Sequence, residues 1–453
     1  MSGEQPKIKK RLRMRPMLIV LLGFLTVMIF GALMLMLPAC NADGEWLNFN
    51  DAIFTSASAV CVTGLVVRST TVDFSALGQV IILILIQIGG LGVMTLATLV
   101  FMIIRKRITL KDRVTLQEAL GQDRIKGIVK LVRNIAIMTG AIELTGTLLL
   151  LPFFCTKNGS IGIWQAIFTS VSAFCNAGFD ILGSKAAPYA SLTDFKGNAG
   201  ALLIVAAHIT LGGLGFTVIH DIFSCRFRFK RFKLHTKIVL VVSLALFLFG
   251  TFFFLGSEFR SAATAGMSGG EKLLNSIFQS VTARTAGFNA IEQSDLSTQG
   301  RTVTCILMFI GASPGGTGGG IKTTTFAVLL LMGLSGLRGR NDILIGMRGV
   351  KPKTAFRAVA VLLFAGILIL TGTVIINYTD GNFSTTSVLF DVMSAFSTVG
   401  LSVGVCPLLS PAAHYILIIV MFIGRLGPLS IGMMIPGSDN AGIKYPPANI
   451  MIG

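Results

Sequence analysis

Charged residues are scarce in this sequence. Only 13% of its 453 residues are Asp, Glu, Lys or Arg, whereas 53% are hydrophobic and the mean hydropathy is +0.79. Soluble domains carry about 25% charged residues, so the composition excludes an ordinary soluble fold. The net charge of +18 does not indicate a nucleic-acid-binding protein, because the long uncharged runs could not be covered in water. The composition indicates a protein of the lipid bilayer.

Side chains that build catalytic and metal sites are few and scattered. The chain has four histidines, which lie far apart in the sequence, and seven cysteines without a Cys-x-x-Cys pair. Neither set predicts a transition-metal site, a disulfide framework or an enzyme's nucleophile. The sequence therefore predicts neither an enzyme nor a chain with an organic cofactor.

One stretch imitates a phosphate-binding loop. Gly315 to Thr323 resembles Gly-x-x-x-x-Gly-Lys-Thr, but Ile321 separates Gly320 from Lys322 and no strand precedes the stretch. A phosphate-binding loop needs both the unbroken spacing and a strand before it. Nucleotide binding by this chain is therefore rejected.

Basic residues mark alternate connecting segments. Segments 7–15, 105–133, 226–237 and 338–357, with Lys444, hold 28 of the 38 Lys and Arg residues. The segments between them, 38–78, 155–200, 256–301 and 377–414, hold 8 basic and 12 acidic residues. Because cytoplasmic loops are enriched in Lys and Arg, the first set and both termini are expected to be cytoplasmic. The basic charge then faces the anionic lipid bilayer, and no nucleic-acid partner is expected.

A fourfold internal repeat is the strongest pattern in the sequence. Short apolar runs end at Gly64, Gly178, Gly287 and Gly400, which are 114, 109 and 113 residues apart. Each run is about half as long as a membrane span and lies between two longer apolar runs. The pattern predicts four units, each consisting of a helix, a re-entrant loop and a second helix.

These units predict an all-α polytopic membrane protein, with eight transmembrane helices and four re-entrant pore helices around a central pseudo-fourfold pore. All four units have one orientation, whereas inverted repeats typify many secondary transporters. The second helices are expected to be full-length spans, Val80 to Ile104 in the first unit and Ala201 to Ile219 in the second. The expected divisions are a basic cytoplasmic N-terminus (1–16), repeat 1 (17–104), a cytoplasmic loop with repeat 2 (105–219), a cytoplasmic loop with repeat 3 (220–331), a cytoplasmic loop with repeat 4 (332–435) and a cytoplasmic C-terminal tail (436–453).

The four loops are the predicted ion-selectivity filter. A dehydrated alkali cation needs its water shell replaced by oxygens, and a ring of backbone carbonyls supplies them without a titratable group. Glycine permits the backbone angles that turn carbonyls inward, and half-membrane helices aim the negative ends of their dipoles at the ion. An alkali cation is therefore the expected metal ion at this filter. The filter residues are Val62, Thr63, Gly64, Leu65, Asn176, Ala177, Gly178, Phe179, Thr285, Ala286, Gly287, Phe288, Thr398, Val399, Gly400 and Leu401.

Beneath the filter, the third unit contains a glycine-rich break. Proline and six glycines between positions 311 and 320 cannot continue a helix, and backbone freed at membrane depth must be buried in protein or face water. An intramembrane gate over 311–323 is favoured over a cytoplasmic turn, because apolar sequence continues on both sides. The gate residues are Gly311, Ala312, Ser313, Pro314, Gly315, Gly316, Thr317, Gly318, Gly319, Gly320, Lys322 and Arg425.

Arg425 interrupts the last apolar run where the first two units have Gly90 and Gly213. A charge at that depth is costly and is usually paired or functional. Arg425 is expected to contact the glycine-rich break and to close the pore, and the alternative is that it extends to the cytoplasmic surface. Lys322 either acts in the same way or ends the break at the inner surface.

Further polar residues lie near the expected pathway. Glu143 is either a coupling-ion site or a helix-packing hydrogen bond, and His208 is expected to pack between helices. Arg284 is expected to point away from the pore and to brace its loop. Asp51 and Asp391 are expected to open two pore helices, where acidic residues suit the helix dipole, and an outer ring that attracts cations is the alternative.

Several of these motifs together carry a resemblance to a known family: Thr398-Val-Gly400, Arg284-Thr-Ala-Gly-Phe288, the glycine-rich break and the closing stretch Lys444 to Gly453. The chain resembles, over essentially its whole length, the TrkH/KtrB/HKT superfamily of potassium transporters, and most closely its bacterial KtrB branch. Members of this superfamily are similar to four fused potassium-channel subunits. The resemblance implies a homodimer docked on a cytosolic nucleotide-binding regulatory ring of the KtrA type. It also implies the bacterial plasma membrane, and K⁺ uptake that depends on Na⁺. Gly64 stands where sodium-preferring plant relatives have a serine, which favours potassium.

The predicted function is inward translocation of K⁺ through the four loops, as the membrane subunit of an uptake system. Because each loop has a single glycine, ion discrimination is expected to be weaker than in a true potassium channel. A sodium-selective or poorly selective cation transporter of the same superfamily is the alternative. A coupled secondary transporter of another class would predict inverted repeats and charged midplane sites, which are not evident in the sequence.

Overall fold

Helices form nearly all the regular structure of this protein. The computed structural model describes residues 16–104, 110–119, 127–339, 342–345 and 348–427. Within these ranges the only strands are β1 (Leu344–Ile345) and β2 (Arg348–Gly349), which pair antiparallel. The predicted all-helical class is therefore confirmed. The expected C-terminal tail and, apart from Pro16, the expected N-terminal segment lie outside the described residues.

The helices follow one another in four groups along the chain. Residues 16–119 form α1 (Pro16–Leu35), α2 (Phe49–Cys61), α3 (Ala76–Leu91), α4 (Val93–Ile103) and α5 (Leu110–Ala119). Residues 128–224 form α6 (Ile128–Asn158), α7 (Ile161–Cys175), α8 (Ala199–Leu214) and α9 (Phe216–Ser224). Residues 234–337 form α10 (Leu234–Ser257), α11 (Gly269–Thr282), α12 (Thr298–Phe309) and α13 (Thr323–Leu337). Residues 352–426 form α14 (Pro352–Thr379), α15 (Thr385–Ser397) and α16 (Pro411–Leu426).

The first helix of each group is long and apolar enough to cross a bilayer. The most apolar stretches of α1, α6, α10 and α14 have hydropathies between 1.7 and 2.8, and only 22–33% of each stretch is buried inside the protein. Most of their apolar surface therefore faces outward, which water would not tolerate over so large an area. These helices place the chain in a membrane as a multi-pass protein.

The second helices are not the straight full-length spans that the sequence predicts. α3 and α4 meet at an angle of 102°, and α8 and α9 meet at 95°. The breaks fall on Gly92 and Gly215, whose φ angles of 84° and 92° with ψ of 136° and 140° interrupt the helical hydrogen bonds. Counting each bent pair as one span gives up to six spans among the described residues, rather than the expected eight.

The short helices α2, α7, α11 and α15 form the centre of the protein. Each carries a phenylalanine at the same place in its run, Phe54, Phe168, Phe278 or Phe390, and each of these rings is at most 1% exposed. The long helices pack around the short ones, α1 on α2, α6 on α7, α10 on α11 and α14 on α15. The apolar runs are thus short because they are central: they do not span a bilayer, and nearly every residue from the phenylalanine to the end of each short helix is buried.

Candidate ion pathway

All four short helices are followed by the same backbone conformation. The left-handed region is occupied by Val62 (φ 58°), Asn176 (φ 58°), Thr285 (φ 71°) and Thr398 (φ 49°), each two residues before a loop glycine. Asparagine visits this region readily, whereas the β-branched valine and threonines are strained there. Such strain persists only where the surroundings hold it, and it concentrates at functional sites.

The four loop glycines face one another around a closed ring. A Cβ added to Gly64 would lie 2.9 Å from the Cα of Gly178, and one added to Gly178 would lie 3.0 Å from the Cα of Gly287. A Cβ on Gly287 would lie 3.2 Å from the Cα of Gly400, and one on Gly400 would lie 3.0 Å from the Cα of Gly64. The four loop glycines therefore meet at one place, although they lie more than a hundred residues apart in the sequence.

Backbone carbonyls alternate with glycines around this ring. The nearest atom to the added Cβ is in each case the carbonyl oxygen that precedes the next glycine, on Ala177, Ala286, Val399 or Thr63. Each of these four residues is fully buried. Such a ring offers partial negative charge to a cation without a carboxylate.

A hydroxyl group in each short helix braces its own loop. Ser58 Oγ accepts from the Gly64 amide at 3.1 Å, and Ser394 Oγ accepts from the Gly400 amide at 3.0 Å. In the other two loops the hydroxyl donates to the carbonyl after the glycine, Ser172 to Phe179 at 2.6 Å and Thr282 to Phe288 at 2.8 Å. Sequence reasoning missed these residues, although a Ser or Thr five or six positions before each loop glycine was a visible signal.

A second set of hydroxyls ties the short helices to the long ones. Ser56, Ser170 and Ser280 donate to backbone carbonyls of α1, α6 and α10 at 2.7–2.8 Å. Each serine lies against a glycine of the long helix, Gly31, Gly146 or Gly250, where a side chain would collide with the hydroxyl. In the fourth group Val392 lies opposite Gly372 and makes ordinary contact instead. These close contacts fix the positions of α2, α7 and α11 along the long helices α1, α6 and α10.

On one side the ring opens into a cavity of about 210 Å³. All four loop glycines line it, together with the carboxyl groups of Asp180 and Glu292. Burial and, secondarily, the nearby Asp295 carboxylate raise the pKa of Glu292 above its usual range. The cavity on this side of the ring is therefore lined by two acidic residues, Asp180 and Glu292.

The two aspartates expected to open short helices differ. Asp51 lies in the first turn of α2, as predicted, and pairs with Arg68 at 2.8 Å. The prediction is wrong for Asp391, because α15 begins at Thr385 and Asp391 lies in its middle. Its carboxylate accepts from the Ser402 hydroxyl at 2.8 Å and from the Cys406 amide at 2.9 Å. It therefore holds the chain that returns from the fourth loop.

The glycine-rich break lies directly beneath the ring. α12 ends at Phe309 and α13 begins at Thr323, and between them Ile310 bridges Ile321 so that the segment forms a closed loop. The Gly319 amide donates to the Thr398 hydroxyl at 2.9 Å, and a Cβ on Gly318 would lie 2.7 Å from that of Thr285. The break thus contacts the residues that begin two of the filter loops.

The same loop is bonded to the second group of helices. The Ser313 and Thr317 amides donate to the carbonyls of Gly213 and Gly212 at 3.0 and 3.2 Å, and the Phe216 amide donates to Gly315 at 3.0 Å. These bonds fall on either side of the bend at Gly215. The backbone freed by the break and by the bend is satisfied mutually, as membrane depth requires.

Arg425 joins the glycine-rich break to the first group of helices. Its guanidinium donates to the carbonyl of Thr317 in the break and to that of Gly89 in α3. The expected contact between Arg425 and the break is therefore present. Lys322 donates to Gly318 at 2.7 Å, so its hydrogen bond stays within the break.

The remaining polar residues make packing contacts. His208 Nδ1 lies 2.8 Å from the carbonyl of Ile204, and its Nε2 lies 3.2 Å from that of Ile142, consistent with the expected packing role. Arg284 turns to α10 and donates to the carbonyl and the hydroxyl of Ser243, both at 3.2 Å, as its bracing role requires. The Glu143 carboxylate lies 4.0 Å from Cys175 Sγ, beside the end of α7.

Comparisons with known proteins assign the chain to a family. A family model described as TrkH, cation transport protein, matches residues 12–435. The chain belongs to the TrkH family. Members of the family are transporters and not enzymes, so the ring, the cavity on one side of it and the break on the other lie in a cation transport protein.

Other members of the TrkH family match over their full length. The Ktr system potassium uptake protein B of Bacillus subtilis is 37% identical, and the alignment covers 100% of this chain and 100% of that protein. The potassium/sodium uptake protein NtpJ of Enterococcus hirae is 36% identical over 98% of this chain and 99% of its own length. The crystal structure of the potassium transporter TrkH from Vibrio parahaemolyticus is similar in fold, with a TM-score of 0.75 at 19% identity, over 95% of this chain and 87% of that one.

Proposed function

We propose that this chain is the potassium-translocating membrane subunit of a bacterial K⁺ uptake system. The observation that carries the proposal is the closed ring of four glycines and four carbonyls, reached from an acidic cavity. A ring of carbonyls suits a dehydrated alkali cation. The names of the relatives, potassium uptake protein B and potassium/sodium uptake protein, indicate K⁺ as the transported ion, with Na⁺ as the second candidate.

The proposed architecture has four tandem helix, pore-helix, helix units around one pore, with the divisions 17–104, 105–219, 220–331 and 332–435. The proposal is supported by the four equivalent loops and by the packing of a long helix on each short one. The sixteen loop residues form the proposed filter. The acidic cavity is then the outer mouth, because its loops belong to segments with few basic residues.

Residues 311–320 with Lys322 and Arg425 form the proposed gate. The break contacts the proposed filter at Thr398. Amides of the break donate to carbonyls of α8, and Arg425 connects the break to α3. A segment bonded to three other parts of the chain has its position set by all of them. Movement of the break would then open or close the pathway just below the ring.

Regulation, assembly and location follow from the proposed class of transporter. Relatives named as parts of a Ktr system favour a system of several components. We therefore place the chain in the bacterial plasma membrane as a homodimer with cytoplasmic termini, bound to a cytosolic nucleotide-binding subunit of the KtrA type. Dependence of uptake on Na⁺ belongs to the same proposal.

The test is ion uptake into a bacterial strain that lacks its own K⁺ uptake systems. Cells that express the chain, with and without a regulatory subunit, are given ⁸⁶Rb⁺ or ²²Na⁺, and Rb⁺ uptake is repeated with and without external Na⁺. We expect Rb⁺ uptake that K⁺ competes for and that Na⁺ stimulates. Uptake of Na⁺ without competition by K⁺ would support the alternative of a sodium-selective or poorly selective relative, for which the name of the Enterococcus hirae protein is the specific indication. No uptake of either ion under any condition would overturn the proposal.

A further inference from the structure

The residue three positions before the loop glycine differs in character among the four loops. It is Cys61, Cys175 or Ser397 in three of them and Arg284 in the third loop along the chain. A charged group here lies beside the filter and inside the membrane region, where it is costly unless a partner neutralises it. The surroundings of Arg284 should therefore reveal what balances its charge.

No carboxylate balances Arg284 among the residues that the structure describes. The two ion pairs found in those ranges join other residues. The guanidinium bonds to the carbonyl and the hydroxyl of Ser243, which are neutral, and its buried Nε has no acceptor. Ser243 lies nine residues after the first residue of α10, about 14 Å from the start of that helix. Arg284 is thus a cation at membrane depth with donor capacity to spare.

Arg284 lines a cavity of about 220 Å³ between α8, α10 and α11. The other walls are mostly apolar and include Ile209, Leu240 and Phe247. Leu244 stands at the edge of the cavity and is 58% exposed on the surface of α10, which is a candidate membrane span. The cavity therefore opens toward lipid, with an apolar mouth and a cationic inner wall.

We propose that this cavity binds an amphiphilic anion, with its acidic head on Arg284 and its apolar chain leaving past Leu244 into the bilayer. The head supplies the negative charge and the acceptors that the guanidinium lacks, in a charge-assisted hydrogen bond. The chain covers the apolar walls. Ala312 of the glycine-rich break also lines the cavity, so the occupant contacts the segment proposed as the gate. The site stands on its own contacts and does not depend on which ion the chain transports.

Direct binding of labelled lipids to the detergent-purified full chain tests the site. The probes are ¹⁴C-oleate, ¹⁴C-phosphatidylglycerol and ¹⁴C-oleyl alcohol, which present a carboxylate, a phosphate and a neutral head. We expect saturable oleate binding and at least tenfold weaker binding of oleyl alcohol. If phosphatidylglycerol displaces oleate, the source of the head group is a phospholipid of the bilayer. Failure of phosphatidylglycerol to displace oleate would identify a free fatty acid.

Four variants make the test specific. Arg284→Gln removes the charge but keeps an amide donor for Ser243, and it should weaken oleate binding at least tenfold, whereas Arg284→Lys should keep most of it. Leu244→Trp fills the mouth and should also weaken binding. Val241→Trp is the matched control, because Val241 is 57% exposed on the same helix and does not line the cavity.

Three results would overturn the inference. They are unchanged oleate affinity in a monodisperse Arg284→Gln chain, equal effects of Leu244→Trp and Val241→Trp, and the absence of saturable binding to the unchanged chain. The last would occur if a second copy of the chain covered the opening.

Discussion

The ring of loops and the layer beneath it are built on opposite principles. In the ring, all four units repeat the same backbone, with a left-handed residue two positions before a glycine of φ 70–97°. In the layer beneath, three units have a glycine of nearly identical conformation, at Gly92, Gly215 and Gly427, with φ 81–92° and ψ 136–140°. The third unit has instead the loop of residues 310–322, which bonds to the second and fourth units.

This difference suits two separate requirements, binding of the ion in the ring and control of transport in the layer beneath. In the proposed filter, an ion on the axis would be held by four equivalent carbonyls, so any departure from equivalence in the ring would weaken a site. The proposed gate needs one element that differs from the others, and the loop of the third unit is such an element. Changes in the ring should therefore abolish transport, whereas changes beneath should alter when it occurs.

The largest expected effect is that of Gly287→Ala. The added Cβ would lie 3.0 Å from the Cα of Gly178 and 3.2 Å from that of Gly400, so two neighbouring loops must move. Overpacking of this kind costs about 1–3 kcal/mol, or up to about 100-fold in an equilibrium. We expect ⁸⁶Rb⁺ uptake to fall by about 100-fold while the chain still reaches the membrane.

Gly266→Ala is the matched control for that prediction. Gly266 has φ 74° and lies outside the ring, and nothing lies within 4 Å of an added Cβ there. It therefore carries the same left-handed strain, about 1–2 kcal/mol, without closing the ring. Equal uptake defects in the two variants would show that backbone strain alone is responsible, and would remove the reason for treating the ring as the filter.

The next effect is that of Arg425→Gln on the layer beneath. The guanidinium holds the break to α3 through the Thr317 and Gly89 carbonyls. Hydrogen bonds to charged groups contribute about 1.5–3 kcal/mol each, and glutamine can replace one of them. We expect about tenfold more Rb⁺ uptake in the absence of a regulatory subunit, with the preference for Rb⁺ over Na⁺ unchanged.

Lys322→Gln sharpens that prediction. Its bond to Gly318 lies within the break and ties it to no other unit. If Arg425 acts by tethering, Lys322→Gln should raise uptake much less than Arg425→Gln. An equal rise in both variants would mean that positive charge, and not the tether, keeps the pathway closed.

A smaller effect is expected from Thr398→Val, at the junction of the ring and the break. The hydroxyl accepts from the Gly319 amide at 2.9 Å, and its loss costs about 1 kcal/mol, or about fivefold. The first unit carries Val62 at the equivalent position and in the same left-handed conformation, so the backbone tolerates valine there. We expect about fivefold higher uptake without a regulatory subunit. Lost selectivity with unchanged uptake would assign Thr398 to the ring alone.

Much of this arrangement could be predicted from the sequence, because a motif that is weak evidence alone becomes strong evidence when it recurs in four units. A single Thr-Val-Gly is uninformative, but four half-length runs, each ending at a glycine, predicted that the four loop glycines lie together. The contact of Arg425 with the break was predictable for a similar reason: a charge replaced glycine at an otherwise repeated position. The serines opposite Gly31, Gly146 and Gly250 repeat as clearly and were overlooked.

Other features could not be predicted from hydropathy. The hydropathy of an apolar run is the same whether its helix is straight or bent by 102°, so the sequence predicts full-length spans and not the breaks at Gly92 and Gly215. Asp391 was predicted at a helix start because acidic residues suit the helix dipole there, whereas α15 begins at Thr385 and is capped by Ser384, which accepts from the Ser387 amide. The cavity at Arg284 depends on three helices at once, and no local pattern reports it.

The smallest expected effect lies above the ring, at Glu292 in the acidic cavity. Burial and Asp295 raise the pKa of this carboxyl. When the external pH falls, Glu292 therefore loses its negative charge at a higher pH than an ordinary glutamate does. Rb⁺ uptake at low ionic strength should therefore decline with acidification, and the decline should be weaker at high salt, where attraction is screened.

Glu292→Gln should reduce uptake by less than about twofold at neutral pH, as expected for a partly exposed charge, and should flatten that part of the pH profile. Glu45→Gln, which neutralises an exposed carboxylate that does not line the cavity, should leave the profile as it was. A profile that stays steep in Glu292→Gln would place the titrating group elsewhere and would leave the outer cavity without an electrostatic part in attracting the ion.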